Sequence, residues 1–319
     1  MSRKQSNIIG AVLILSILAA LCLSAQSPEQ AKNQGSPRNL KVDVELVTVS
    51  ATVTDNQNRV ITGLDKEHFK IWEDKLEQKI ESFSAEDVPV SLGIVFDISG
   101  SMKDKISTAR DAAVTFLKTG NPEDEYFLTV FSNRADVSED FTTDISRLQT
   151  KLVFEATKGM TAMYDAVYMS LEKLKGGTNP KKALLLITDG EDNRSRYTYA
   201  NVRDFVKEQD VRIFAIGITS DFSSQLSAGR TGRAMIEELA DITGGHAFFP
   251  DSVYDLEDIC SKIAVELKNQ YVIGYKSTNE IKDGKWRRIR VRVDGPKGVG
   301  PLNVRNKSGY YAAEPGSKQ

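Results

Sequence analysis

The chain has 319 residues, and its 42 Lys and Arg nearly balance 44 Asp and Glu, for a formal net charge of −2. With 40% hydrophobic and 27% charged residues it has a globular composition, and the balance argues against an overall electrostatic binder of nucleic acid or anionic membrane. Two cysteines cannot build a disulfide scaffold, and two histidines, His68 and His246, leave little room for a multi-histidine metal site, so oxygen ligands would have to hold any metal.

At the N-terminus, Arg3 and Lys4 precede an apolar run from Ile8 to Leu23, followed by Ser24-Ala25-Gln26. A basic start, an apolar stretch and small residues describe a secretory signal peptide over residues 1–25. The run is shorter than the roughly 20 residues of a membrane span. The competing reading is an uncleaved N-terminal anchor, because Leu23 stands where cleavage favours a small residue. Cys22 fits a lipoprotein signal poorly, since Leu21 before it is large. Either way the folded part is expected outside the cytoplasm, secreted or in the periplasm or cell envelope. Only the anchor would touch a membrane. Residues 26–39, rich in Gln, Asn, Ser and Pro without periodicity, read as a flexible linker.

Residues 40–88 carry a β pattern. Val42, Val44 and Leu46 alternate, then Val47, Val49, Ala51 and Val53 alternate in the opposite phase, which predicts a bulge near Leu46-Val47. Phe69–Ile71 and Lys79-Ile80 flank a Glu73-Asp74-Lys75 turn and predict a hairpin. Over residues 89–268 short continuous apolar runs (Leu92–Phe96, Phe127–Phe131, Ala183–Ile187, Val211–Ile216) alternate with amphipathic segments. The latter are Asp104–Lys118, Ala162–Lys175, Tyr199–Gln209, Arg233–Ile242 and Val253–Asn269. That alternation predicts an α/β fold, a doubly wound and mostly parallel sheet with helices on both faces. Ala135–Phe141 is expected as an antiparallel edge strand, and Gly229–Arg233 as a mobile loop.

The β pattern returns over residues 269–313, before a tail at 314–319. Tyr271, Ile273 and Tyr275 alternate, and Ile289, Val291 and Val293 oppose Arg288, Arg290 and Arg292. The arginines then form the solvent face of one strand rather than a nucleic-acid stripe. Because isolated hairpins are marginal, the two flanking segments are expected to pair into one small β domain.

The chemistry gathers at strand ends. Strand Leu92–Phe96 runs into Asp97-Ile98-Ser99-Gly100-Ser101, Gly159-Met160-Thr161 precedes a helix, and strand Ala183–Ile187 ends in Thr188-Asp189-Gly190. In an open α/β sheet these loops converge on one crevice. Asp97, Ser99 and Ser101 skip one residue each, so a tight loop turned at Gly100 can aim three oxygens at one point, and Ser101 can also cap the following helix. Two carboxylates and three hydroxyls, with Thr161 and Asp189, suit a hard cation such as Mg²⁺ or Mn²⁺.

In these three segments the sequence resembles the von Willebrand factor type A (VWFA) domain, in particular secreted bacterial VWFA-related proteins. The resemblance implies a metal-ion-dependent adhesion site built from Asp97, Ser99, Ser101, Thr161 and Asp189, and a non-catalytic protein-binding module. A partner's Asp or Glu carboxylate would complete the coordination sphere, with Gly100 and Met160 around it as partner-binding positions. Glu191 and Asp192, which follow Asp189, are expected either to join them in meeting a partner or to form a solvated loop. The alternative is a metal-dependent phosphohydrolase using Asp97 as nucleophile, but the second acid such enzymes carry two residues on is Ser99 here. A serine hydrolase would need a nucleophile elbow and a histidine base; Ser99 lacks the first glycine, and His246 in Gly-Gly-His-Ala-Phe-Phe leads into a strand. Cys260 lies on a helical apolar stripe and is expected in the core.

Overall fold

A computed structural model of the chain describes residues 46–85, 87–189, 192–218, 227–296 and 298–314. The expected leader, linker and C-terminal tail lie outside these residues or at their edge, as does Glu191.

Fourteen strands among the described residues form three sheets. The central one has six strands: β5 (Val90–Asp97), β6 (Glu125–Phe131), β7 (Ala135–Thr142), β8 (Lys181–Thr188), β9 (Arg212–Gly217) and β10 (His246–Phe248). Their order is β10-β9-β8-β5-β6-β7, all parallel except the antiparallel edge strand β7. Every residue of β5 is buried, which is why it reads as a continuous apolar run rather than an alternating one. At Gly93 even a methyl group would come 2.3 Å from the Phe127 ring, so only glycine lets the facing side chain lie flat on this strand.

Among the described residues six α-helices cover the sheet. On one face α1 (Ile106–Lys118), α2 (Ile145–Phe154) and α6 (Leu256–Lys268) pack against Leu92, Ile94 and Phe96, and Cys260 is buried among them. On the other, α3 (Met163–Leu174), α4 (Tyr199–Glu208) and α5 (Ser227–Thr243) pack against Val95, Leu184 and Leu186. The period-two alternation of the strands thus sorts their side chains between two helical layers.

Helix α2 lies in a stretch not expected to be helical. Asp144 caps it by accepting a hydrogen bond from Ser146 N at 3.0 Å, and Leu148 and Leu152, one turn apart, bury its single apolar edge. Gly229–Arg233, expected as a loop, is part of α5; the amphipathic continuation to Thr243 carries the helix back through two glycines. His246 opens β10, with its ring edge-on to Phe248 at 4.5 Å.

The flanking segments form a second, all-antiparallel module. One sheet runs β13-β1-β11-β4, from Asn303–Asn306, Val47–Thr54, Tyr271–Tyr275 and Ile80–Ser84; the other runs β14-β12-β2-β3, from Gly309–Tyr311, Trp286–Val293, Phe69–Glu73 and Leu76–Gln78. Each sheet interleaves strands from both ends of the chain, so neither end could complete one alone. Their inner faces share Val49, Ala51, Val53, Ile71, Ile273 and Val291. Arg288, Arg290 and Arg292 are exposed and alternate with buried Ile289, Val291 and Val293. The turn between β2 and β3 places Asp74 and Lys75 at positive φ, so the hairpin partner of β2 is Leu76–Gln78 while Ile80 starts a strand of the other sheet. The register irregularity on β11 falls between Gly274 and Tyr275, where it pairs with β4; the bulge expected near Leu46-Val47 sits at the edge of the described residues.

The two modules meet through buried charge. Arg212 donates to Thr52 Oγ1 at 2.6 Å and Ser50 O at 2.8 Å, and Arg305 on β13 pairs with Glu266 on α6 at 3.2 Å.

Candidate metal centre

Strand β5 lies between β6 and β8, so the winding of the sheet reverses at its C-terminal end, where a crevice opens. Asp97 is the last residue of β5 and is fully buried. Its Oδ1 accepts Ser99 N at 2.8 Å and its Oδ2 accepts the Thr188 hydroxyl at 2.7 Å. Burial pushes the Asp97 carboxyl up to about 6, with the nearby Asp189 charge adding to the effect and the hydrogen bonds from Ser99 and Thr188 opposing it.

Three loops are laced together around this carboxylate by backbone bonds. Gly100 N donates to Gly159 O at 3.0 Å and Lys158 N to Ile98 O at 2.9 Å, joining the Asp97–Ser101 loop to the Gly159–Thr161 loop. Asn193 N and Arg194 N both donate to Thr161 O, at 3.0 and 3.1 Å, and Asn193 Oδ1 accepts Thr161 N at 2.9 Å. Gly159 sits at φ +78°, and a methyl group there would fall 2.6–2.7 Å from the Asn133 amide, whose Oδ1 holds Met160 N at 2.9 Å. The structure therefore gathers the loops that carry Asp97, Ser99, Ser101, Thr161 and Asp189 at the C-terminal end of the sheet.

The donor set fits a small divalent cation. The hydroxyls of Ser99 and Ser101 lie 3.0 Å apart. Adjacent oxygens around an octahedral ion with bonds of about 2.0–2.1 Å are separated by roughly 2.9 Å, so the two already have the spacing of neighbouring ligands. Ser101 forms no cap hydrogen bond with the helix that follows, contrary to the capping role its position suggests, and its hydroxyl is left facing Ser99. Among the described residues no group of three or more His, Cys, Asp or Glu side chains forms a metal cluster, in keeping with a set that mixes two carboxylates with hydroxyls.

One cation already faces the site. Lys105 Nζ lies 3.5 Å from Asp189 Oδ2 and donates to Ile218 O at 2.9 Å, with the lysine side chain 20% exposed. Lys105 and Asn133 have no place in the motif and escape sequence reasoning. Thr188 and Asn193 lie beside Asp189 in the sequence, but nothing there shows that they bond to Asp97 and Thr161.

Toward solvent the rim is formed by Gly100 and Ser101, both exposed, and by Met160, 45% exposed. Asp192 is turned the other way. Its Oδ2 accepts Tyr164 N at 2.9 Å and the Ser195 hydroxyl at 2.5 Å, so its carboxylate fastens the loop to the start of α3 instead of pointing at a partner.

The family model of the von Willebrand factor type A domain matches residues 92–262, more than half of the 319-residue chain. The chain belongs to the von Willebrand factor type A family. A relative from Mycolicibacterium gilvum, described as a UPF0353 protein, is 22% identical over 241 residues, 67% of this chain and 69% of the relative. Among solved structures, the von Willebrand factor type A protein from Catenulispora acidiphila is similar at 12% identity and a TM-score of 0.49, over 86% of this chain and 75% of that one. An aerotolerance-related membrane protein from Bacteroides fragilis is similar at 19% identity and a TM-score of 0.45, over 56% of this chain and 98% of that one. As a VWFA domain, the α/β module is a protein-interaction module.

Proposed function

We propose that this protein works outside the cytoplasm as a metal-dependent binding protein. In this reading Ser99, Ser101 and Thr161 give hydroxyl ligands to one Mg²⁺ or Mn²⁺, while Asp97 and Asp189 hold it directly or through water. The bound cation supplies a Lewis-acidic position for an Asp or Glu carboxylate of a partner protein. The observation that carries the reading is the convergence of five oxygen-bearing side chains from three laced loops, with two hydroxyls already 3.0 Å apart. Neutral hydroxyl ligands leave the cation electrophilic, which favours a carboxylate from outside. Gly100 and Met160 form the rim on which a partner settles, and Glu191 is proposed beside them.

The same geometry supports binding over catalysis. Both Asp97 oxygens are engaged and the residue is buried, which suits orienting a metal and its waters better than attacking phosphorus. The extracytoplasmic setting rests on the basic and apolar pattern of residues 1–25, proposed as a signal peptide ahead of a linker at 26–39. No helix among the described residues is long and apolar enough to cross a membrane. The reading is tested by affinity capture from native cell envelopes in Mg²⁺ and in chelator. A partner held by wild type in Mg²⁺, released by chelator and not held by Thr161→Ala supports it. Capture that is equal in all three conditions refutes it.

A further inference from the structure

A cavity of about 260 Å³ lies between the α/β module and the β module, at the end of the sheet opposite the metal centre. Val90, Lys181 and Arg212, the first residues of β5, β8 and β9, contribute to its wall, whereas Asp97 ends β5 and Asp189 follows β8 at the far end of the sheet. The flanking module closes it with Ser50, Val272 and Trp286. The volume is close to the lower bound of about 300 Å³ for small-molecule sites and too small for a helix or a strand of another protein.

The charge around this cavity departs from the near neutrality of the chain. Its charged lining residues are Lys181, Lys182, Lys207, Arg212 and Lys307 against Asp210 alone, and Asp210 is paired with Lys307 at 2.9 Å. Arg212 is buried, and its hydrogen bonds run to neutral acceptors, the Thr52 hydroxyl and the Ser50 carbonyl, while the Glu266 and Asp210 charges nearby offset part of the cost of burying it. Lys181 is half-buried, and burial lowers its ammonium despite the charges of Asp87 and Asp124 nearby. The Lys207 ammonium stands 5.8 Å from the centre of the Trp286 ring and 3.8 Å from Asp204 Oδ1, an exposed carboxylate outside the cavity wall. Cations gathered in a cleft with low-dielectric walls focus a positive potential into it, and partly desolvated ones gain most from an anion. Part of the remaining wall, Val88, Val206, Ile242 and Leu267 among it, is apolar, beside polar Gln209 and Gln270, and that apolar part would be left uncovered by a bare inorganic ion.

We propose that this inter-module cavity binds a small amphipathic anion, a phosphate or carboxylate head on a compact apolar body, with the head toward Lys182 and Lys207 and the body against Trp286 and the valine wall. Such a ligand touches both modules at once, so its binding tightens their docking, and it does so without the cation at the other end of the sheet.

The test uses the full chain in chelator, which separates it from the metal reading. Phenyl phosphate, inorganic phosphate and benzyl alcohol are titrated while tryptophan emission and the melting temperature are followed. The expected result is saturable quenching by phenyl phosphate with a rise in melting temperature, and at least tenfold weaker binding of the other two probes. Lys182→Gln/Lys207→Gln, changed at two partly solvated positions, should bind phenyl phosphate about tenfold more weakly. Trp286→Phe should lose the quenching and keep the thermal shift. No saturable binding of phenyl phosphate at millimolar concentration, equal binding by the double variant, or inorganic phosphate binding as well as phenyl phosphate would overturn the proposal.

Discussion

Replacing Lys105 with methionine should tighten divalent-cation binding, because in the metal-free protein the lysine ammonium occupies part of the electrostatic role a cation would take. Methionine keeps most of the aliphatic stem and removes the charge. Lys105 Nζ lies 3.5 Å from Asp189 Oδ2. A unit pair at that distance interacts by roughly 5 kcal/mol at an effective dielectric constant of about 20 and by about 1 kcal/mol in bulk water. Lys105 and Asp189 are 20% and 10% exposed, and the ammonium keeps Ile218 O as a second acceptor, so the net effect belongs toward the lower figure. About 1.4 kcal/mol, a tenfold gain in Mn²⁺ affinity, is the expected size. Calorimetric titration of Mn²⁺ into Lys105→Met and wild type at pH 8 measures it. A chelator arm adds an independent readout: without metal the variant should melt lower than wild type, since Asp97 and Asp189 then face each other with no cation. An unchanged or weaker Mn²⁺ affinity in a folded variant would show that Lys105 does not compete for the site.

Protons should compete at Asp97. With its carboxyl raised to about 6, Mn²⁺ affinity should fall about tenfold per pH unit below that value and level off above pH 7, as calorimetry at stepped pH would show. Stability in chelator should move the other way: the folded state holds this proton more tightly than the unfolded chain, so the contribution present below pH 3.8 is lost as pH rises through about 6, by roughly 3 kcal/mol. Asp97→Asn should flatten that slope in denaturant melts. Arg305→Gln should cost about 3 kcal/mol in urea unfolding, because Glu266, 3% exposed and already raised by burial, loses its ion-pair partner; a loss under 1 kcal/mol would mean that Arg212 alone suffices. Gly93→Ala should destabilise by 1–3 kcal/mol or more through its collision with the Phe127 ring, read by the same assay.

The α/β alternation was legible because strands covered on both faces become short unbroken apolar runs, unlike the alternating strands of the flanking segments. Helix α2 was missed since it buries only Leu148 and Leu152, too few positions to set a period. The start of α5 was misread because Gly229 and Gly232 lower helix propensity, which tertiary packing of its later turns overrides. The pairing of Val47 with Tyr275 leaves no local trace at all. At the candidate site the five oxygen-bearing residues could be located because they sit at fixed places in strand-end loops. Lys105 and Asn133 could not, for they reach the site through contacts that only the folded sheet creates. The cationic cavity likewise draws Lys182, Lys207 and Lys307 together from distant parts of the chain, each looking alone like an ordinary surface lysine.

The central claim is that the Asp97, Ser99, Ser101, Thr161 and Asp189 oxygens hold a divalent cation. Calorimetric titration of Mg²⁺ and Mn²⁺ into wild type, Asp97→Ala and Ser99→Ala, with folding checked by circular dichroism, tests it most directly. The account predicts one saturable site in wild type and at least a tenfold loss of affinity in each folded variant. Equal affinities in all three proteins, or no binding to wild type, would contradict it.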